Sequence, residues 1–269
     1  MSKNIGVFGC GWLGTPLAKN LIARGNSVKG TTTSQHKLET LKSFGILPYQ
    51  VALTQDKAEG DIQDFLKDLE ILIINIPPGL RKTGSESFVK RIRLLLKHVE
   101  ESEVEKVLFI SSTSVYGAIE GEINEESIPQ PVTISGNQLL EVEKLLLSNP
   151  KIKTTVLRFG GLIGPHRHPV NYLAGRTDLK NGEELINLIH LDDCILMIET
   201  VLQKGYWNLI FNGVFPLHPT KKEYYTDEAL KRGLTPPKFK STGTQTAKKS
   251  IKSHLFFVKS HQLLTTIVS

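Results

Sequence analysis

An α/β fold, with helices on both faces of a parallel sheet, follows from three features of this sequence. Strand-length apolar runs alternate with amphipathic helical stretches over most of the 269 residues, and that alternation dictates parallel strands joined by crossovers. Residues 71–76 are apolar on both faces and residues 106–110 read as a second buried strand, as expected of strands covered by helices. At the start of the chain a short apolar run ends at Phe8, directly before Gly9-x-Gly11-x-x-Gly14, and the helical pattern Leu17, Ala18, Leu21, Ile22 follows. Strand, glycine loop and helix in that order describe a Rossmann-type, doubly wound sheet. Residues 1–215 are expected to form it. Residues 216–269 are expected to form a small C-terminal lobe and a basic tail, with residues 165–184 contributing to the lobe.

Each glycine of the loop answers a physical need. Gly9 permits the tight turn, Gly11 lets the backbone approach a pyrophosphate, and Gly14 lets helix and strand pack closely. The helix N-terminus offers unpaired N–H groups and the positive end of its dipole to an anion. Gly9, Gly11, Trp12, Leu13 and Gly14 are therefore the expected phosphate-binding segment of a dinucleotide site. Pro16 suits the first helical turn, and Gly25 suits a left-handed cap. The next strand, from Ser27, runs into Thr31-Thr32-Thr33-Ser34, with His36 and Lys37 just beyond. An NAD site usually ends this strand on Asp or Glu, which binds the adenosine ribose. The hydroxyl set Thr32, Thr33 and Ser34 instead tolerates a 2′-phosphate, so the expected cofactor is NADP. NAD is the alternative, because the usual arginine partner is missing from this turn.

Further along, Leu38 and Leu41 mark a brief helix, residues 48–53 a third strand, and Asp61 the start of a helix carrying Ile62, Phe65, Leu66 and Leu69. The buried strand at 71–76 stops at Pro77-Pro78-Gly79. Ligands of such sheets lie beyond the carboxyl ends of the strands, which places Ile76 and Pro77 beside the cofactor; a plain turn accounts for the prolines equally well. Phe88, Val89, Ile92, Leu95, Leu96 and Val99 give a long amphipathic helix. The strand after it delivers Ser111-Ser112-Thr113-Ser114-Val115-Tyr116-Gly117 to the cofactor side, which adds Ser111 to the expected cofactor contacts. Residues 154–159 read as the sixth strand and 207–212 as a further one. Asp192 is the expected N-cap of the helix carrying Ile195, Leu196, Ile198, Val201 and Leu202. Thr220-x-x-Glu223 is a capping box for a helix closed by Gly233. Residues 255–258 and 263–268 are apolar enough for edge strands.

Composition narrows the classes of function. Hydrophobic residues make up 39% and charged residues 22%, as in ordinary soluble proteins. No apolar run approaches the roughly 18 residues of a membrane span, and the N-terminus enters a strand without a signal-peptide apolar region, so a cytoplasmic protein is expected. Cys10 and Cys194 are too few for a disulfide framework, and both read as small buried residues. His166 and His168 stand apart from other ligand types, and no metal is expected. The net charge of +6 lies in the tail: residues 216–269 hold ten Lys or Arg against three Asp or Glu. Without interleaved aromatics that surplus reads as a solvated face or frayed end, not as a nucleic-acid surface. The expected partner is a small molecule.

Four motifs, in order, carry a resemblance. They are Gly9-x-Gly11-x-x-Gly14, the 111–117 run, Arg158-Phe-Gly-Gly-Leu-Ile-Gly164-Pro165, and Ile189-His190-Leu191-Asp192-Asp193. Together they resemble the short-chain dehydrogenase/reductase superfamily, in its extended branch of NAD(P)-dependent epimerases, dehydratases and reductases, over about residues 4–212. The resemblance implies that the glycine motif holds the pyrophosphate and that Ser112 hydrogen-bonds the reacting oxygen of the substrate. It also implies a substrate lobe beginning after residue 160, where His166-Arg167-His168-Pro169, Asn171-Tyr172 and Arg176 form a basic loop suited to an anionic or hydroxylated substrate.

One family feature is missing. The resemblance calls for Tyr-x-x-x-Lys at the start of the next helix, but Ser135 stands at the tyrosine and Leu139 at the lysine, with Glu143 at the usual glutamate. No other tyrosine has lysine four residues on. The chain is therefore similar to the atypical members of the superfamily, which keep the cofactor fold and lose the dyad. A serine without a neighbouring base is a poor acid near neutral pH, so Tyr116 or His190 is expected to move the proton beside Ser112. Their structural readings are a packing residue and an orienting residue. The expected function is an NAD(P)-dependent oxidoreductase or epimerase acting on a small polar, sugar-like or nucleotide-linked substrate. A non-catalytic NADP-binding sensor or regulatory protein is the alternative.

Overall fold

A computed structural model of the chain describes residues 2–79, 87–240 and 249–267. In chain order, β1 (Asn4–Phe8) leads through α1 (Gly14–Ala23) to β2 (Ser27–Thr32), and α2 (Leu38–Ser43) leads to β3 (Leu47–Gln50). A small hairpin of β4 (Ala52–Leu53) and β5 (Ala58–Glu59) precedes α3 (Ile62–Leu66) and β6 (Ile71–Ile74). Then come α4 (Phe88–Glu100), β7 (Lys106–Ser112), β8 (Gly121–Ile123), α5 (Ile134–Leu147), β9 (Lys153–Phe159) and β10 (Gly161–Ile163). The chain continues with α6 (Val170–Leu173), β11 (Leu188–His190), α7 (Leu191–Lys204), β12 (Ile210–Gly213), α8 (Lys221–Lys231), β13 (Lys249–Ile251) and α9 (His254–Val258).

Seven strands form the central sheet in the order β12-β9-β7-β6-β1-β2-β3, and every neighbouring pair runs parallel. The Rossmann-type expectation is met. All four residues of β6 are buried, which is why its sequence is apolar on both faces. The strand order reverses between β1 and β6, and such a switch point opens a crevice at the carboxyl ends of the strands.

Two apolar layers clamp the sheet. One joins α3, α4 and α5 through residues such as Phe65, Phe88, Leu95 and Val142; the other joins α1 and α7 through Leu17, Leu21, Met197 and Ile198. Each such side chain removed from water contributes about 1.5–3 kcal/mol. Helix starts are fixed locally: Ser87 accepts from Lys90 N at 3.4 Å and Thr133 accepts from Gly136 N at 3.0 Å. The capping box of Thr220 and Glu223 on α8 is present as expected. Among the described residues no helix is long and apolar enough to cross a membrane.

A third, smaller apolar cluster gathers Ile163, Val170, Leu188, Phe215, Tyr224, Tyr225 and Ile267. It draws on both stretches assigned by sequence to the lobe. The end of the chain, however, returns to the main body. β13 pairs with β8, and Phe256 of α9 meets Phe211 of β12 edge-on, with centroids 6.5 Å apart. Residues 255–258, expected as an edge strand, are thus helical. Residues 263–267 form no strand either, and Val268 lies outside the described residues, as do residues 241–248 of the expected lobe. Residues 249–267 are packed and not frayed: the buried carboxylate of Asp193 accepts Leu264 N at 2.6 Å and also binds the Thr265 hydroxyl.

Candidate cofactor cleft

The glycine loop is built by two polar side chains from neighbouring strands. Thr31 of β2 accepts Gly9 N at 2.9 Å on its hydroxyl and Cys10 N at 2.8 Å on its carbonyl. Asn75, just past β6, donates to Gly9 O at 3.0 Å. Gly9 has φ of 112°, and a β-carbon there would lie 2.5 Å from Asn75 O. A β-carbon on Gly14 would collide with Gly9 O, whereas one on Gly11 would meet nothing within 4 Å. Gly9 and Gly14 are therefore required by the fold, while Gly11 borders open space that a β-carbon would fill. That cradle, with the first-turn amides of α1 beside it, fits a dinucleotide pyrophosphate.

From the loop the crevice opens in two directions. An outer chamber of about 370 Å³ is lined by Gly9, Gly11, Thr31, Thr32, Thr33, Ser34, Ile76 and Pro77. Lys37 and Arg91 also line it, and no carboxylate does among the described residues. Arg91 reaches this chamber from α4, and its Nη2 donates to Pro78 O at 2.6 Å. An inner chamber of about 350 Å³ is lined by Trp12, Leu13, Ser111, Ser112, Leu139 and Arg167, and it shares Gly11, Asn75, Ile76 and Pro77 with the outer one. The two chambers form one cleft along the carboxyl edge of β2, β1, β6 and β7. Gly14 lies behind its wall, buried against Gly9.

The hydroxyls at the inner end differ in what they can do. Ser112 Oγ accepts Ser114 N at 3.1 Å, which leaves its own hydrogen to donate. Ser111 Oγ donates to Glu143 Oε1 at 2.5 Å. Glu143 in turn pairs with Arg158 through Nη2 at 2.6 Å, with both side chains buried. Leu139, at the position of the family lysine, is buried and gives the chamber an apolar wall.

Tyr116 and Ser112 are close in sequence but not in environment. The tyrosine is fully buried, accepts from Arg158 Nη1 at 2.9 Å, and directs its hydroxyl to Asn212 Oδ1 at 2.8 Å and Asn124 O at 3.0 Å. Burial pushes its pKa up, with Arg158 opposing. This side chain braces Arg158 and does not border the cleft.

His190 also lies apart from Ser112. It is the N-cap of α7, its Nδ1 accepting Asp192 N at 3.2 Å, so the cap expected of Asp192 belongs to the histidine one position outside the helix. It opens onto a separate cavity of about 340 Å³ with His166, His168 and Tyr224. The turn 164–167 stands between the two cavities. Cys10 sits in the outer chamber with its thiol pKa pushed up to about 12 by burial, and both cysteines are free and buried.

Among the cleft residues not assigned to the cofactor from sequence are Asn75, Arg91 and Leu162. Asn75 carried a signal, as a single polar residue in an apolar strand. Arg91 and Leu162 carried none, because α4 and β10 reach the cleft only through the tertiary fold.

Comparison with known proteins agrees with this architecture. A family described as the NAD binding domain of 6-phosphogluconate dehydrogenase matches residues 4–120. Protein YeeZ of Escherichia coli (strain K12) is 36% identical over 241 residues, covering 89% of this chain and 88% of that one. The uncharacterized UDP-glucose epimerase YtcB of Bacillus subtilis (strain 168) is 23% identical over 203 residues, 66% of this chain and 63% of its own. Among solved structures, UDP-glucuronic acid 4-epimerase from Bacillus cereus in complex with NAD superposes with a TM-score of 0.81 at 18% identity, over 98% of this chain and 92% of that one. At such identity the superposition speaks for the fold.

Proposed function

The chain belongs to the family of protein YeeZ, and on that premise, together with its resemblance to the atypical short-chain dehydrogenase/reductases, we propose that it is an NADP-dependent oxidoreductase or epimerase acting on a small polar, sugar-like or nucleotide-linked substrate. The observation that carries the proposal is the single cleft in which the glycine loop and the Ser112 hydroxyl share one wall. In this reading Gly9, Gly11, Trp12, Leu13 and Gly14 form the pyrophosphate segment, and Ile76, Pro77 and Ser111 flank the cofactor. Thr32, Thr33, Ser34, Lys37 and Arg91 meet the adenosine ribose. Lys37 and Arg91, both lining the outer chamber, favour the 2′-phosphate of NADP over the bare diol of NAD.

The cofactor, when bound, supplies hydride transfer. Ser112 donates its hydrogen to the reacting oxygen of the substrate, and Leu139 and Ile76 keep that end of the cleft apolar, which strengthens the hydrogen bond. Tyr116 and His190 do not share the cleft with Ser112, so the proton transfer first assigned to them is not retained in this proposal. A second reading, a dinucleotide-binding sensor without turnover, is favoured by Leu139 at the position of the lysine and by the burial of Tyr116 in the core.

Titration of the protein with NADPH and NADH, followed by fluorescence, tests the proposal. Tight NADPH binding is expected, with weaker NADH binding. Gly11→Val should abolish both while leaving the fold intact, since a β-carbon at residue 11 meets no protein atom. Binding of neither dinucleotide by the unsubstituted protein would remove the cofactor reading and the enzyme reading with it.

A further inference from the structure

Arg167 belongs to a turn that is built against the phosphate loop. The chain folds back at residues 164–167, where Gly164 N bonds Arg167 O and Arg167 N bonds Gly164 O, both at 3.0 Å. His166 holds a left-handed φ of 58° inside the turn, a conformation that costs a residue with a β-carbon. Trp12 Nε1 donates to Pro165 O at 3.1 Å, and the Arg167 guanidinium lies over the Trp12 ring, 4.9 Å from its centroid. A β-carbon on Gly164 would come within 3.1 Å of that ring, so the glycine is what lets the turn lie against the indole.

Among the described residues Arg167 is the one charged side chain lining the inner chamber, and it forms no ion pair. A guanidinium stacked on an aromatic face keeps its in-plane N–H donors available and loses less freedom when it binds. The segment leading into the α1 N-terminus borders the same chamber through Gly11, Trp12 and Leu13. A positive side chain and a positive helix end therefore converge on one place, and no carboxylate among the described residues lines it.

We propose that Arg167 is an oxyanion-binding residue, its guanidinium taking a phosphate group beside the α1 N-terminus with Trp12 as its platform. The inference rests on the cofactor cleft proposed above, and the phosphate has two sources, the dinucleotide pyrophosphate or a phosphate carried by the substrate.

The sequence holds two tryptophans, so Trp207→Phe leaves Trp12 as the sole fluorescent reporter of the stack. In that background, inorganic pyrophosphate and NADPH are each titrated onto the protein, and pyrophosphate is also titrated onto NADPH-saturated protein. The same is done with Arg167→Ala and Arg167→Lys. Arg167 is exposed, so the fold should survive, which circular dichroism checks. The alanine variant is expected to bind pyrophosphate roughly tenfold to a hundredfold more weakly and with a shallower salt dependence. Lysine should restore only part of the affinity, lacking the planar fork.

If the phosphate belongs to the cofactor, the alanine variant also loses NADPH affinity. If it belongs to the substrate, NADPH affinity is unchanged and the loss appears on the NADPH-saturated protein. Equal affinities for both proteins in all three titrations would overturn the proposal. Arg167-dependent pyrophosphate binding by a protein that takes no NADPH would remove the dinucleotide reading alone and leave the oxyanion site standing.

Discussion

Glu143 and Arg158 are joined by three contacts between 2.6 and 3.1 Å, and both are almost wholly buried. Each charge is tolerated in the core only because the other is there. Glu143→Ala leaves the guanidinium unpaired and is expected to destabilise the fold by about 3–5 kcal/mol. Urea unfolding would measure it, and an unchanged midpoint would show that solvent reaches Arg158. The same substitution frees the Ser111 hydroxyl, now bound to Glu143. Alignment with the family glutamate drew notice to Glu143, but nothing in the chain announced its partners Ser111 and Arg158, 32 and 15 residues away. The position of Tyr116 shows the same limit. A tyrosine four residues beyond a β-strand that ends at the cleft can face the cleft or the core, and its contacts with Arg158 and Asn212 place it in the core.

At the scale of elements, strands and long helices followed their patterns, and short apolar segments did not. Residues 255–258 are too few for a period of two to be told from a period of 3.6. Their helical form comes from packing: Phe256 is 1% exposed and lies edge-on to Phe211. Phe256→Ala is expected to cost about 3–5 kcal/mol, a value large for a terminal helix and measurable in urea. A loss below about 1 kcal/mol would mean that α9 adds little to the main body. The start of α7 shows a different limit. Acidic residues favour a helix N-terminus at several positions, so Asp192 and the preceding His190 compete for the cap. The histidine holds it, while Asp193 turns inward to bind the end of the chain.

For the molecule as a whole, the buried His168 and the half-buried His218 make stability depend on pH. Burial lowers the pKa of His168, with Arg232 adding to the effect and Glu228 opposing it, and burial lowers that of His218. His168 Nδ1 accepts Val170 N at 3.2 Å, which suits a neutral ring whose Nε2 faces Tyr224 at 3.0 Å. Below the ordinary histidine value of about 6.5 the unfolded chain takes up protons that the fold refuses. The stabilising contribution is thus complete above that pH and is lost as pH falls through the lowered folded values. Glu125, raised by burial, acts in the opposite sense, so the comparison must be between variants. His168→Gln should reduce the fall in urea midpoint between pH 7.5 and pH 5.5. The same fall in both proteins would mean that His168 does not contribute.

The sequence by itself determined the parallel sheet, the glycine loop, the capping box of α8 and the missing Tyr-x-x-x-Lys pair, because these depend on periodicity, backbone freedom and residue identity within a few positions. The tertiary structure alone decided which polar side chains share a cavity. It brought Arg91 and Lys37 together at the outer chamber and Arg167 onto Trp12, and it parted Tyr116 and His190 from Ser112. Those placements depend on strand order and on turns between distant segments, whose energies arise only when the segments meet.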